Sequence, residues 1–355
     1  MSLDDLRKRV DETDAQIVRL IAERIKIAEQ IGEEKRKQGK QIGDNERERR
    51  VLENVRGIAK KEKINPEDVE DVYRQIMTIT RGVQGLTVAF QGERGAYSEG
   101  ASLQFFGHAI SLKPCEYLED TFRAVEQGEA QYGVVPIENS LEGSISRVYD
   151  LLLDSSLQVC GETEYRVSHC LIANPGVKLE AIKRVYSHPQ ALGQTQAYLR
   201  HMKFEAIPSY DTAGSVKMIK EKSITDGAAI ASARAAEIYG MDILAREIED
   251  TPNNFTRFFV LGQHDAAPTG NDKTSIVFSV KHKPGALYEL LKELASRKLN
   301  LTKIESRPTR QKPWEYNFYL DFEGHREDIV PHEALEHVKD FAIFLKVLGS
   351  YPKAR

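Results

Sequence analysis

Arg24 and Lys35 are the first residues of this chain whose placement calls for a ligand. Eleven residues separate them, three turns of helix, so both fall on one face within about 20°. Their backbones stand about 16 Å apart along such a helix, and two long cationic side chains can close from there on a small molecule with acidic groups at both ends. Arg24 interrupts an apolar seam of Leu6, Val10, Thr13, Ile17, Leu20, Ile27 and Ile31. An arginine on such a seam is costly unless it meets an anion. Glu48 breaks the next stripe, Leu52, Val55 and Ala59, in the same way. A buried Arg24–Glu48 pair that only fixes helix register would also account for both charges. Arg7, Arg47, and Thr80 with Gln84 one turn further on extend the set, because residues four apart share a helix face. Arginines, a lysine, a glutamate and an amide together suit a dicarboxylate that carries a hydroxyl.

A second group lies at strand ends and strand–helix turns, where open α/β sheets bind ligands. It comprises Pro136, Ile137, Glu138 and Asn139; Ser187, His188, Pro189 and Gln190 with Gln194; Thr212; and Asn254, Phe255, Thr256, Arg257 and Phe258. Taken singly, Glu138 and Ser187 read as caps or turn formers. The run Gly92, Glu93, Arg94, Gly95 lacks the Walker lysine and the Rossmann glycine spacing, so no nucleotide cofactor is expected. A third group opens a helix with its amides free, Lys283, Pro284, Gly285, Ala286, Leu287 and Tyr288, a natural seat for a carboxylate. Asn300 and Leu301 begin the next strand, and Glu305, Ser306, Arg307 and Pro308 end it.

The elements that must hold these groups fall into three blocks. Residues 1–84 read as three helices. The first opens on a capping box of Ser2 and Asp5 and runs to about residue 37, a length of roughly 50 Å. That is too long to cover itself in so small a block, so its seam is expected to pack on a second copy of the chain. Asp44 reads as the cap of the second helix, and Asn65, Pro66, Glu67 and Asp68 open the third. Residues 86–262 alternate strand and helix, with strands at 86–90, 132–137, 157–173, 184–187, 204–208, 228–231 and 257–261. The block is long enough for two lobes with a cleft between them. Residues 263–273 read as a linker, and 274–352 follow the βαββαβ order of a ferredoxin-like unit.

Composition narrows the function classes. The 355 residues carry a net charge of −4, which leaves no basic field for nucleic acid and no polybasic patch for a membrane. No run is long and apolar enough to cross a bilayer. Three scattered cysteines and a start without signal-peptide character point to reduced thiols in the cytoplasm. His332 and His337 are five apart, roughly 140° around a helix, and cannot chelate one metal ion.

The helical block resembles the all-helical chorismate mutases, a family of intertwined dimers. The resemblance implies that Arg7 from a partner chain, Arg24 and Arg47 hold two carboxylates. It implies that Lys35 and Gln84 donate to the ether oxygen of the breaking bond and that Glu48 holds a ring hydroxyl, with Asp44 and Thr80 lining the pocket. Thr80 stands where many relatives carry serine. Residues 86–262 resemble prephenate dehydratase, most specifically in Thr256, Arg257 and Phe258 after Asn254 and Phe255. This implies a two-lobed α/β fold similar to periplasmic binding proteins and loss of water and carbon dioxide from prephenate. Thr256 is the first choice of proton donor, with Glu138 the other candidate. Arg257 either holds the remaining carboxylate or braces its strand, and Asn139, Ser187, Gln194 and Thr212 line the pocket. The last block resembles an ACT domain that binds phenylalanine. Gly285, Ala286, Leu287, Asn300, Leu301, Glu305, Ser306 and Arg307 are its expected site, and Tyr288 departs from the family's usual branched aliphatic residue. The order matches the bifunctional chorismate mutase–prephenate dehydratase family, with no cofactor, chorismate and prephenate as substrates, and phenylalanine as allosteric inhibitor. Two alternatives stand beside it. One is a prephenate or arogenate dehydratase whose helices only dimerise, against which the intact set of Arg7, Arg24, Lys35, Arg47, Glu48 and Gln84 argues. The other is a non-catalytic amino-acid sensor.

Overall fold

The first helix starts where the sequence caps it. The computed structural model describes residues 2–37, 45–83, 85–309 and 314–354, the side chains at 36, 37, 45, 46, 48, 78, 79 and 81–83 excepted. The Asp5 amide donates to the Ser2 hydroxyl at 3.1 Å and the Ser2 amide donates to Asp5 at 2.9 Å, a reciprocal capping box. Helix α1 then runs Leu3–Lys37. Helix α2 is Asn45–Lys61 and α3 is Pro66–Val83, the latter opened by Asn65, whose side chain accepts from the Glu67 amide at 3.1 Å. Ala28, Val55, Ala59 and Met77 are buried, but Leu6, Val10, Ile17, Leu20, Ile27 and Ile31 remain between 45% and 64% exposed. Within one chain the apolar seam of α1 is uncovered along most of its length.

The chain divides into two compact units, Met1–Val88 with Leu103–Ser111, and Ala89–Ser102 with Leu112–Arg355. The α/β block contains two sheets. The first has the order β2-β1-β3-β11-β5, formed by β1 (Thr87–Gln91), β2 (Ser111–Cys115), β3 (Tyr132–Asn139), β5 (Gln158–Arg166) and β11 (Phe255–Gly262), with the short β4 (Gly143–Ser144) on β3. The second has the order β10-β6-β9-β7-β8, from β6 (Cys170–Ala173), β7 (Arg184–Ser187), β8 (Glu205–Pro208), β9 (Gly227–Ala231) and β10 (Asp242–Ala245). The single strand expected over 157–173 is therefore two strands in different lobes. The break has a local cause: the Val167 amide donates to the Asn254 carbonyl at 2.8 Å and the His169 amide to Glu249 at 2.9 Å. These groups belong to the segment that returns from β10 to β11, so the ladder ends there. The strands β2 and β10 escape the sequence pattern; both are short edge strands, and β2 carries Pro114, which an edge tolerates.

The last block keeps its expected order: β12 (Asp272–Val280), α11 (Ala286–Ser296), β13 (Leu301–Pro308), β14 (Tyr316–Glu323), α12 (Ile329–Phe341) and β15 (Ala342–Pro352). Its antiparallel sheet runs β13-β14-β12-β15. Strand alternation sends Ile276, Phe278, Leu320 and Phe322 into a core with Leu290 and Leu294 of α11. It sends Val277 and Tyr319 into the core of the first lobe, beside Ile137, Val159 and Phe259, and a one-residue slip in β15 at Leu348 lets both Leu348 and Tyr351 join them. Residues 263–271 thus connect two parts that share one apolar core. At Gly349 the two parts leave no room for a side chain: an added Cβ would lie 2.1 Å from the Val159 carbonyl oxygen.

Candidate active sites

In the helical unit, Arg24 is half-buried and its Nη1 donates to the Thr80 hydroxyl at 2.6 Å. Thr80 in turn lies 2.9 Å from the carbonyls of Ile76 and Met77, so its proton goes back to its own helix and its oxygen is left to receive Arg24. Among the described residues no carboxylate pairs with Arg24. Lys35 is half-buried on the same helix, and Arg47 is exposed at the start of α2. Arg7 is not brought to them. It is exposed beside Asp4 at 3.6 Å, about 25 Å from Arg24 along the helix at 1.5 Å per residue. Asp44, Gln84 and the side chain of Glu48 lie outside the described residues, and with Glu48 the Arg24–Glu48 alternative.

Between the two lobes of the α/β block lies a cavity of about 180 Å³ lined by strands of the first sheet, by loops and helix starts of the second lobe and by the segment joining them. Thr256 starts β11 opposite Asn139 of β3, and both line the cavity. Donor and acceptor chemistry fixes the polar groups here one after another. Asn139 Oδ1 accepts from the Leu141 and Glu142 amides at 3.0 and 3.1 Å, so its Nδ2 must face the other way. That nitrogen donates to Asn254 Oδ1 at 2.7 Å and to Thr256 Oγ1 at 3.0 Å. Asn254 Nδ2 then donates to Gln194 Oε1 at 2.9 Å, and Gln194 Nε2 donates to Glu142 at 2.8 Å. Thr256 is thereby an acceptor toward Asn139, and no acceptor for its own hydroxyl proton is found among the described residues. That proton is available to whatever fills the cavity.

Three expected site residues point elsewhere. The pairing of β3 with β11 slips by one residue between Arg257 and Phe258, Glu138 facing Arg257 while Pro136 faces Phe258. The extra residue, Ile137, is a bulge beside a proline that cannot join the ladder. Strict alternation would set Glu138 on the face of Pro136; the bulge reverses the phase, so Asn139 joins Pro136 at the cavity. Glu138 instead pairs with Lys303 of β13 at 2.8 Å, which corrects its reading as a proton donor. Arg257 likewise turns away from the cavity. It bonds Glu162 at 2.8 Å, Asp321 at 2.7 Å and the Tyr351 hydroxyl at 3.1 Å, bracing β11 against the third block rather than holding a substrate carboxylate. Burial works against its charge, yet Asp321, Tyr351 and Glu162 outweigh it and hold the guanidinium above its ordinary range. Ser187 is fully buried and donates to the Ile230 carbonyl at 2.6 Å, so it ties β7 to β9 and does not line the cavity. Thr212 does line it, at the start of α9 (Thr212–Glu221), whose cap Asp211 accepts from Gly214 at 2.8 Å.

Sequence reasoning missed His169. It is 1% exposed, lines the cavity, and lies 2.9 Å from Gln194 Oε1 and 2.8 Å from the Tyr97 hydroxyl. Its only sequence signal was position inside a supposed continuous strand.

In the third block a cavity of about 700 Å³ opens at the start of α11, lined by Lys283, Ala286, Leu287, Asn317, Phe318 and Phe344 among others. Gly285 caps the helix at φ 81°, a conformation natural to glycine. Asn300, Leu301, Glu305, Ser306 and Arg307 do not line this cavity. Glu305 accepts from Ser144 at 2.8 Å and Arg307 pairs with Asp150 at 3.1 Å. These two side chains hold β13 to the first lobe, a correction to their expected place around a ligand. Leu301 packs on the helix-side core, while Ser306 and Ile304 are exposed along the strand.

Among the described residues no cluster of His, Cys, Asp or Glu could hold a metal ion, and no helix is long and apolar enough to cross a membrane. Three family models match in chain order: chorismate mutase type II over residues 6–85, prephenate dehydratase over 88–266 and the ACT domain over 274–334. The chain is 40% identical over 359 residues to a bifunctional chorismate mutase/prephenate dehydratase of Aquifex aeolicus, spanning 99% of this chain and 98% of that one. Prephenate dehydratase from Arthrobacter aurescens, solved in complex with L-Phe, is similar at a TM-score of 0.70 and 33% identity over 76% of this chain and 90% of its own. GqqA, described as a novel type of quorum quenching acylase, is similar at a TM-score of 0.70 and 35% identity over 75% of this chain and 97% of its own.

Proposed function

Because the chain belongs to the bifunctional chorismate mutase/prephenate dehydratase family, we propose that it rearranges chorismate to prephenate in its helical unit, converts prephenate to phenylpyruvate in the cleft, and is inhibited by phenylalanine at its ACT domain. The match of all three blocks, in order, over nearly the whole chain carries this reading.

The first step is pericyclic. It needs a folded substrate conformer and donors at the oxygen that gains negative charge, not a nucleophile or a proton shuttle. Arg24, steadied by Thr80, and Arg47 take the substrate carboxylates, Lys35 and Gln84 the ether oxygen, Glu48 the ring hydroxyl. Asp44 is the further residue that the family resemblance assigns to this pocket. Arg7 is too far along its own helix to join them, so a second copy supplies it across the exposed seam of α1. The working species is therefore a homodimer. It works in the cytoplasm, as its three cysteines, none of them in a disulfide, favour.

The second step breaks the ring-carbon bond to one carboxylate and the bond to the ring hydroxyl. The electron pair of the lost carboxylate moves into the ring, which becomes aromatic, and the hydroxyl leaves with one proton as water. Aromatisation drives the reaction, so the protein's part is to help hydroxide leave. Thr256 does this: its acceptor side is taken by Asn139, and its hydroxyl proton faces the cavity. Asn139, Gln194 and Thr212 line the substrate's seat. Neither step calls for a metal or a redox cofactor.

Phenylalanine occupies the cavity at α11, its carboxylate on the amides after Gly285 and its ring against Leu287. A second copy closes the site with the β13 edge that follows Asn300 and exposes Ser306.

Supplying chorismate and following both products tests the reading. Prephenate appears first, phenylpyruvate follows, and added phenylalanine suppresses the second. Chorismate left unconsumed would reduce the helices to a dimerisation element, and prephenate that is never consumed would remove the dehydratase.

A further inference from the structure

We infer that His169 is a positioning residue for the dehydration, held as the neutral tautomer with its proton on Nε2 so that it fixes Gln194 and, through it, the hydrogen-bond chain that turns the Thr256 hydroxyl into the cavity. The inference rests on the dehydratase reading and goes beyond it to the group that holds the chain's far end.

The hydrogen-bond chain begins at two backbone amides, and each link fixes the next. The amides of Leu141 and Glu142 orient Asn139. Asn139 orients Asn254, and Asn254 leaves Gln194 with its carbonyl oxygen toward His169. An amide oxygen cannot donate, so the 2.9 Å contact from His169 Nε2 to Gln194 Oε1 requires a proton on Nε2. In a neutral ring Nδ1 is then an acceptor, and the Tyr97 hydroxyl, 2.8 Å away, supplies the proton. The same hydroxyl also donates to the Ser168 carbonyl, 2.8 Å away, so its one proton is shared between that oxygen and Nδ1. An Nδ1 with a proton of its own, donating to the Tyr97 oxygen, would make the ring cationic. The ring's surroundings oppose that: burial holds the imidazole below its ordinary range, against the Gln194 bond and the field of Glu249. The ionisable groups around it are Tyr97 on α4 (Tyr97–Phe106), Glu249 and Cys170 beside it, Glu142 beyond Gln194, and Asp211 and His188 across the cavity. Burial raises Tyr97, Cys170 and Asp211, so these three resist ionising next to the ring.

The consequence is mechanical. Gln194 Oε1 receives two donors, Asn254 from one side and His169 from the other. Without the second, the Gln194 carbonyl is free to swing, Asn254 loses its fixed acceptor, and the Asn139–Thr256 bond loses its anchor. Thr256 sits at the reacting bond, where a misplacement of about 1 Å can cost roughly 10²-fold in rate.

Two variants and one spectrum test this. His169→Leu removes both ring nitrogens; His169→Gln keeps an N–H donor toward Gln194. His169→Leu should lower dehydratase kcat by about 10- to 100-fold with KM nearly unchanged, His169→Gln should recover most of the loss, and mutase turnover on chorismate should stay at the wild-type level in both. Nitrogen-15 NMR of histidine-labelled wild-type protein, with the His169 signals identified by their loss in His169→Gln, should show a neutral ring protonated on Nε2 that stays neutral below the pH where free histidine titrates. An Nδ1-protonated or cationic ring at neutral pH would overturn the inference whatever the variants do. So would unchanged kcat in His169→Leu, or a His169→Gln protein no better than His169→Leu. If Thr256→Ala also retains full activity the dehydratase assignment of the cleft falls; if only the His169 variants do, the positioning role alone falls.

Discussion

Arg24 and Glu138 both looked like charges in search of a task, and structure separates them by what each touches. Arg24 is held by Thr80 on a neutral bond, and among the described residues no carboxylate meets it. Glu138 is spent on Lys303. Arg24→Ala should therefore lower mutase turnover by 10²–10³, the loss of about 3–4 kcal/mol expected for one donor at a developing charge, and leave dehydration of supplied prephenate intact. Glu138→Gln should leave the dehydratase rate within a factor of a few. Steady-state assays of both reactions on the two variants check this, and a Glu138→Gln enzyme that no longer dehydrates prephenate would return the proton to Glu138. Arg24 was legible because a cation on a helical seam breaks a long regular pattern. Glu138 was misread because one bulged residue, Ile137, inverts strand phase, and the sequence carries no mark of it beyond Pro136.

At the scale of elements, helices and caps were readable and strand faces were not. The Ser2–Asp5 box, the Asn65 cap and the βαββαβ order depend on residues close in sequence. The strands β3 and β11 are apolar on both faces, one covering the first lobe's core and the other the cavity or the ACT sheet. A strand buried twice loses its alternation, which is why Arg257 could not be assigned a side. The α1 seam poses the opposite case: its pattern was plain and its partner is absent from a single chain. If α1 pairs with a second α1 and Arg7 crosses between copies, Arg7→Ala and Arg24→Ala proteins should each lack mutase activity. Mixed and reannealed, they should regain about a quarter of the wild-type value, because half the dimers are mixed and each mixed dimer has one intact site. Size and activity measured on the same mixture decide it; no recovery would place Arg7 outside the site.

At the scale of the second unit, the ACT sheet and the dehydratase lobe are one packed body. Arg257 bonds Glu162 beneath it and Asp321 and Tyr351 above, and Lys273 pairs with Glu162 at 2.8 Å. Its neighbour on β11 is Thr256. Any rearrangement of the ACT sheet on phenylalanine binding thus reaches Thr256 through one strand, provided phenylalanine binds two arrangements with different affinity. No sequence pattern announces this, because residues 263–273 look like a tether and the two faces meet only in the fold. If mutase and dehydratase reside in separate sites and Thr256 does the second site's chemistry, Thr256→Ala supplied with chorismate should form prephenate at the wild-type rate and accumulate it, with phenylpyruvate reduced to the uncatalysed background; phenylpyruvate appearing at the wild-type rate from that variant would contradict the assignment of Thr256.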